Sequence, residues 1–170
     1  GGTIPSSSNC YAEVTISSND AGGYINTTST IFTSNAGIFG PASDTLDVLG
    51  PPLISKSFSV DTMTTAGSGG ESRLTITLSN PTTAATSLTG VAVLDLFPTS
   101  VPGGVQMFVD NPLNSGGTCD DAGFGGTIGE NDPVDGDNTL EIGDRSIRVT
   151  GVTLAPNTSC DFWVDVSSAG

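Results

Sequence analysis

Arg73-Leu74-Thr75-Ile76-Thr77-Leu78 decides the fold class of this chain. Apolar and polar residues alternate with a period of two, so an extended backbone turns Leu74, Ile76 and Leu78 to one face and Arg73, Thr75 and Thr77 to the other. A helix would scatter the same residues around its circumference. Outward from it, Ala12–Ile16, Gly90–Leu96, Ser146–Thr150 and Phe162–Val166 alternate or are β-branched in the same way. Turn formers separate them: Ser79-Asn80-Pro81, Pro98-Thr99-Ser100, Val101-Pro102-Gly103-Gly104, Asn111-Pro112 and Ala155-Pro156-Asn157. No helical apolar period with caps is present. The pattern predicts an all-β chain of short strands, an immunoglobulin-like β-sandwich. Gly50-Pro51-Pro52 is the expected boundary, with residues 1–50 on one side and 51–170 on the other.

The chain also repeats itself. Residues 1–18 match residues 151–168 at an offset of 150: Gly1 with Gly151, Thr3 with Thr153, Cys10 with Cys160, Val14 with Val164, and Ser17-Ser18 with Ser167-Ser168. After a slip of two, Ala21-Gly22 matches Ala169-Gly170. The repeat is out of phase, which implies a unit completed by a neighbouring copy.

Charge and composition exclude several partners. Eighteen acids face four bases and no His, for a net charge of −14. Nucleic acid needs Lys and Arg to replace its counterions, and anionic membrane surfaces make the same demand. No apolar run approaches the roughly 20 residues of a membrane helix, so no insertion is expected. Sparse Lys with abundant Gly, Ser, Thr, Asn and Asp reads as extracellular or cell-surface.

Residues 51–59, 72–81 and 88–98 resemble the repeat of bacterial surface proteins in the DUF11-like, Ig-like superfamily, and Tyr24–Thr27 and Cys160–Val166 resemble its closing strands. The resemblance implies that residues 1–50 are the closing strands of one repeat, or a donor-strand arm. Residues 51–170 would then be a sandwich lacking its last strand or strands. It departs from the pattern at 101–145, which is longer, richer in Gly and more acidic.

Single residues carry expected roles too, the cysteines from the extracellular-sandwich reading and Lys56 from the resemblance. In an extracellular sandwich Cys119 and Cys160 form a sensible disulfide, worth about 3–4 kcal/mol on the chain-entropy model. Cys10 is left over, either for an intermolecular bond or as a buried free thiol. Lys56 lies on the first strand, where some related domains form an isopeptide bond. Asp95 is the acid available to it, and the plain alternative is a solvated or salt-bridged Lys.

Carboxylates and amides crowd a Gly turn at 130–144, and Asp132, Asp135, Asp137 and Glu141 are the ligands such a loop would offer a structural Ca²⁺. The spacing is not an EF-hand, and the plain reading is a solvated acidic loop, since Asp, Asn and Gly are ordinary turn formers. Otherwise no cofactor is expected. Asn26-Thr27-Thr28 and Asn157-Thr158-Ser159 are glycosylation sequons. Without His no Ser-His or Cys-His pair exists, so no enzyme is expected.

The functional expectation is a structural subunit of a pilus-like extracellular filament, built head to tail from copies of itself by β-strand complementation. An unpaired strand within residues 22–50 would insert into a neighbour, with Tyr24, Ile25, Ile31, Phe32, Ile38, Phe39, Leu46 and Val48 as the apolar candidates. The alternatives are a segment of a covalent tandem-repeat adhesin or stalk, and a carbohydrate-binding module. The last needs an exposed aromatic platform, whereas the seven Phe are expected in the core.

Overall fold

A computed structural model of the chain describes residues 2–62, 70–81, 86–98, 106–131 and 137–168. The described residues are all-β, with no helix among them. Twelve strands follow in chain order: β1 (Gly22–Thr27), β2 (Ile31–Thr33), β3 (Gly37–Phe39), β4 (Ser43–Val48), β5 (Leu53–Phe58), β6 (Glu71–Ser79), β7 (Leu88–Leu96), β8 (Met107–Val109), β9 (Ser115–Gly117), β10 (Thr127–Gly129), β11 (Ser146–Leu154) and β12 (Ser159–Ser168).

Two sheets share one core. In the first, β5-β6-β12-β8 lie side by side, and β9 succeeds β8 along the far edge of β12. The second is β10-β11-β7. The alternation of Arg73–Leu78 does what its period requires: Leu74, Ile76 and Leu78 are buried, as are Phe162, Val164 and Val166 opposite them on β12. From the second sheet Ile147, Val149, Val152 and Leu154 close over them, with Val91 and Val93 packed at the side. On β11 the inward residues change parity. Gly151, at φ 78°, takes up a register shift between Val149 and Val152, so both valines face the core. Phe162 is fully buried, and its truncation to Ala is expected to cost about 3–5 kcal/mol, read as a lowered urea midpoint at unchanged slope.

Residues 22–48 pair among themselves. β1 and β4 form an antiparallel two-stranded sheet from Gly22↔Val48 to Thr27↔Ser43, and β2 pairs with β3 between them. The expected unpaired donor strand is therefore corrected to a self-paired hairpin, because two six-residue strands joined through a short second hairpin satisfy each other's backbone locally.

The expected strand at Ala12–Ile16 is absent. Alternation makes a segment competent for a sheet, but a strand exists only against a partner, and among the described residues these have none. Its repeat counterpart shows the difference: Val164 is fully buried between β6 and β9, whereas Val14 is 80% exposed.

Candidate assembly interface

The first sheet is wider than the layer covering it. β5 pairs with β6 in register Ile54↔Leu78, Lys56↔Ile76 and Phe58↔Leu74, which places Ile54, Lys56 and Phe58 on the core-facing side. Yet Ile54 is 58% exposed and Phe58 37%. The second sheet ends at β7, so among the described residues no strand lies over Ile54 and Phe58. Among the described residues no strand pairs with the outer edge of the nine-residue β7, and such an edge presents a row of N–H and C=O groups to a further strand. Leu94 and Leu96 flank that edge on the outer face, both exposed.

Lys56 and Asp95 stand at this mouth. Lys56 Nζ donates to Asp95 Oδ2 at 2.6 Å, joining the edge strand of one sheet to the edge strand of the other, and it also lies 5.8 Å from the centre of the Phe58 ring. The structure thus brings the two residues together as an ion pair.

On the hairpin, pairing sorts the side chains by face. Tyr24 lies opposite Leu46, and Gly22 opposite Val48, so Tyr24, Leu46 and Val48 share one face, with Asn26 and Asp44 at its tip. Ile25, Thr27, Thr45 and Asp47 occupy the other. Ile31 lies opposite Phe39, and Phe32 opposite Ile38, so the short β2–β3 hairpin is apolar on both faces. All of these apolar side chains are exposed except Val48, which is half-buried. The expectation of Phe in the core is corrected accordingly: Phe97 and Phe162 are buried, but Phe32, Phe39 and Phe58 are exposed because their strands lack a covering layer.

Cys119 and Cys160 are bonded, with Cα atoms 5.0 Å apart. The local sequence brings them together. Gly117 crosses so close to β12 that a Cβ there would lie 2.2 Å from the Asp161 carbonyl oxygen. The Thr118 and Cys119 amides then both donate to that oxygen, at 2.8 and 3.0 Å. The Thr118 hydroxyl donates to Asp161 Oδ1 and accepts from the Asp161 amide. This clamp holds Cys119 beside Cys160. Cys10 is a free thiol and exposed, which corrects the buried alternative.

Asn26 and Asn157 are both exposed, the latter at φ 54° in the turn between β11 and β12. Asp132 and Asp135 lie outside the described residues. Asp137 accepts from the Thr139 amide in a local turn, and the Glu141 amide donates to Asp144. Among the described residues no three His, Cys, Asp or Glu converge on a metal position.

A charged cluster that no local sequence pattern marks sits on the outer face of the first sheet. Arg73 donates to both carboxylate oxygens of Asp165, from Nε at 2.8 Å and from Nη2 at 3.1 Å. Its guanidinium stacks 3.7 Å above the Trp163 ring, and Gly116 of β9 pairs beside Trp163 where a Cβ would crowd the indole at 3.1 Å. The Arg73 hydrogen bonds, with a further one from Asn114, hold the Asp165 carboxyl below its ordinary range against the opposing effect of burial. Nearby, Glu71 is raised by its hydrogen bond with Asp110 and by that carboxylate's charge.

A depressed carboxylate contributes stability above its unfolded pKa, near 4, and loses it as pH falls through the folded value. Asp165→Asn is therefore expected to flatten the acid side of a thermal-midpoint-versus-pH curve below about pH 4. An acid limb as steep as wild type would assign that limb to other carboxylates.

A family model described as "Domain of unknown function (DUF7933)" matches residues 52–170, which span β5 to β12. The chain belongs to the DUF7933 family. The family boundary falls within Gly50-Pro51-Pro52, so the matched region begins at the edge strand β5 and excludes the 22–48 hairpin. No curated protein and no solved structure matches the chain.

Proposed function

We propose that this chain is a structural unit of an extracellular surface polymer. Its Ig-like sandwiches are joined head to tail, and each is completed along its open edge by the 22–50 arm of another unit. The observation that carries the reading is the uncovered inner face of β5, where Ile54 and Phe58 point toward the core side yet remain exposed beside the free edge of β7. Burying apolar area at about 25 cal/mol per Å² favours whatever covers them. The first sheet, β5-β6-β12-β8, has the relative strand order of an immunoglobulin A-B-E-D sheet, which supports the comparison; β10 and β11, which precede β12 in the chain and pair beside β7, have no counterpart in it. The disulfide fits an oxidising, non-cytoplasmic location, and no helix among the described residues is long and apolar enough to cross a membrane.

A covalent tandem array is the second reading. It is favoured by the internal repeat, in which the hairpin directly follows the counterpart of β12. Both linkages use the same joint.

Sedimentation velocity of the full chain tests the joint. Species that grow with protein concentration are expected, and at a net charge of −14 they should strengthen between about 0.05 and 0.5 M NaCl as repulsion is screened. A monodisperse monomer throughout would overturn the proposal. Denaturing mass analysis of native surface material separates the linkages: one species of this chain's own mass means a non-covalent polymer, and a ladder means the tandem array.

A further inference from the structure

We infer that the free edge of β7 is filled by β1 of a second copy, running antiparallel to it, so that the completed sheet reads β10-β11-β7-β1-β4. This rests on the head-to-tail reading above and assigns its joint to particular strands.

The repeat supplies the order. Residues 9–18 are the counterpart of 159–168, so β1 occupies the position of the strand that follows β12. β12 lies inside the first sheet with both edges paired. The next strand must therefore cross to the other sheet, whose free edge on the β5 side is β7. β1 arrives there first, and β4, already its partner, becomes the new outer edge.

Side-chain chemistry selects the face. The side bearing Tyr24, Leu46 and Val48 turns inward over Ile54 and Phe58 with Asn26 and Asp44 at its tip, since the opposite side carries only Ile25 as a large apolar residue, among Thr27, Thr45 and Asp47. Tyr24 tolerates burial because its hydroxyl already donates to the Asp20 carbonyl oxygen at 3.0 Å and accepts from Ser18 Oγ at 2.9 Å. The outward Ile25 then falls beside the outward-facing Ala92, Leu94 and Leu96 of β7, extending an apolar strip that is exposed on both pieces.

Chain reach points to a second copy rather than to the same one. With β1 antiparallel to β7, β4 runs parallel to β5 and ends at the far end of the sandwich from Leu53. Between Val48 and Leu53 the chain spans at most about 18 Å. β4 and β5 each run six residues, so in matched register Val48 lies about 17 Å along the strands from Leu53 and about 10 Å from it across the sheets, roughly 20 Å in all. In that register the linker does not let the hairpin dock on its own edge.

Cross-linking between two differently marked chains tests the assignment. In a Cys10→Ser background, Ile25→Cys on one chain is mixed with Ala92→Cys, Leu94→Cys or Leu96→Cys on the other and oxidised mildly. All four positions are exposed, so folding is preserved, and a mixed dimer forms only between copies. At least one pairing is expected to give tenfold more mixed dimer than the same partner with Thr45→Cys of β4. Cross-linking through Thr45→Cys instead would overturn β1 as the docking strand while leaving the polymer intact. Normal growth in sedimentation with no cross-link from either strand would overturn β7 as the acceptor. Absence of both growth and cross-links would defeat the head-to-tail reading itself.

Discussion

Replacing Cys119 and Cys160 together by Ala is expected to destabilise the sandwich by about 4 kcal/mol, because the bond closes a loop of sequence separation 41. Small domains hold only about 5–15 kcal/mol in total, so this is a large share. The thermal midpoint should fall by roughly 10–20 °C. Both cysteines are buried, and the loop between them carries β10 and β11, most of the second sheet. Loosening it frees the second sheet from the first. A double variant within about 1 kcal/mol of wild type would show that the Thr118–Asp161 clamp alone holds the crossing. Thr118→Val in the intact disulfide background separates the two: it removes the hydroxyl that both donates to Asp161 and accepts from it, and keeps the covalent bond.

What could be read from the sequence was the part governed by local periodicity. β6, β7, β11 and β12 each contain their predicted segment, and the alternation of Arg73–Leu78 predicts which side chains are buried. Ala12–Ile16 has the same alternation and no strand. Periodicity reports how a segment would present its faces, while pairing depends on a partner that no local pattern encodes. The arm shows the same limit from the other side. Its apolar residues were legible, but the β1–β4 register joins residues up to 26 positions apart, from Gly22 to Val48, and turned an expected single strand into a hairpin. The Arg73–Trp163–Asp165 cluster was invisible for a related reason. Arg73 and Asp165 are 92 residues apart and meet only because β6 and β12 are adjacent. The family resemblance sets Asp95 beside Lys56, and the fold places Lys56 Nζ 2.6 Å from Asp95 Oδ2 across the two sheets.

The largest effect on assembly is expected from one residue of the hairpin. Leu46→Asp puts a carboxylate in the middle of the face shared with Tyr24 and Val48, and Thr45→Asp puts one next to it on the opposite face. Both positions are exposed in the unassembled chain, so each variant should fold with an unchanged thermal midpoint. The two then separate on association. In the Leu46→Asp variant, docking would carry the new carboxylate beneath the sheet toward Ile54 and Phe58, close to Asp95 and away from water, and burying an unpaired charge costs several kcal/mol. At about 1.4 kcal/mol per factor of ten, that is a loss of a hundredfold or more in association, enough to abolish growth in sedimentation. The Thr45→Asp carboxylate stays in solvent on the outer surface and adds only a screened repulsion that salt recovers. Equal loss in both would mean that overall charge, not burial of one face, governs the joint. Equal tolerance would mean that the Tyr24–Leu46–Val48 face is not what covers the open edge, and the exposed β2–β3 hairpin, apolar on both sides, would become the occupant to test through Ile31→Asp and Phe32→Asp.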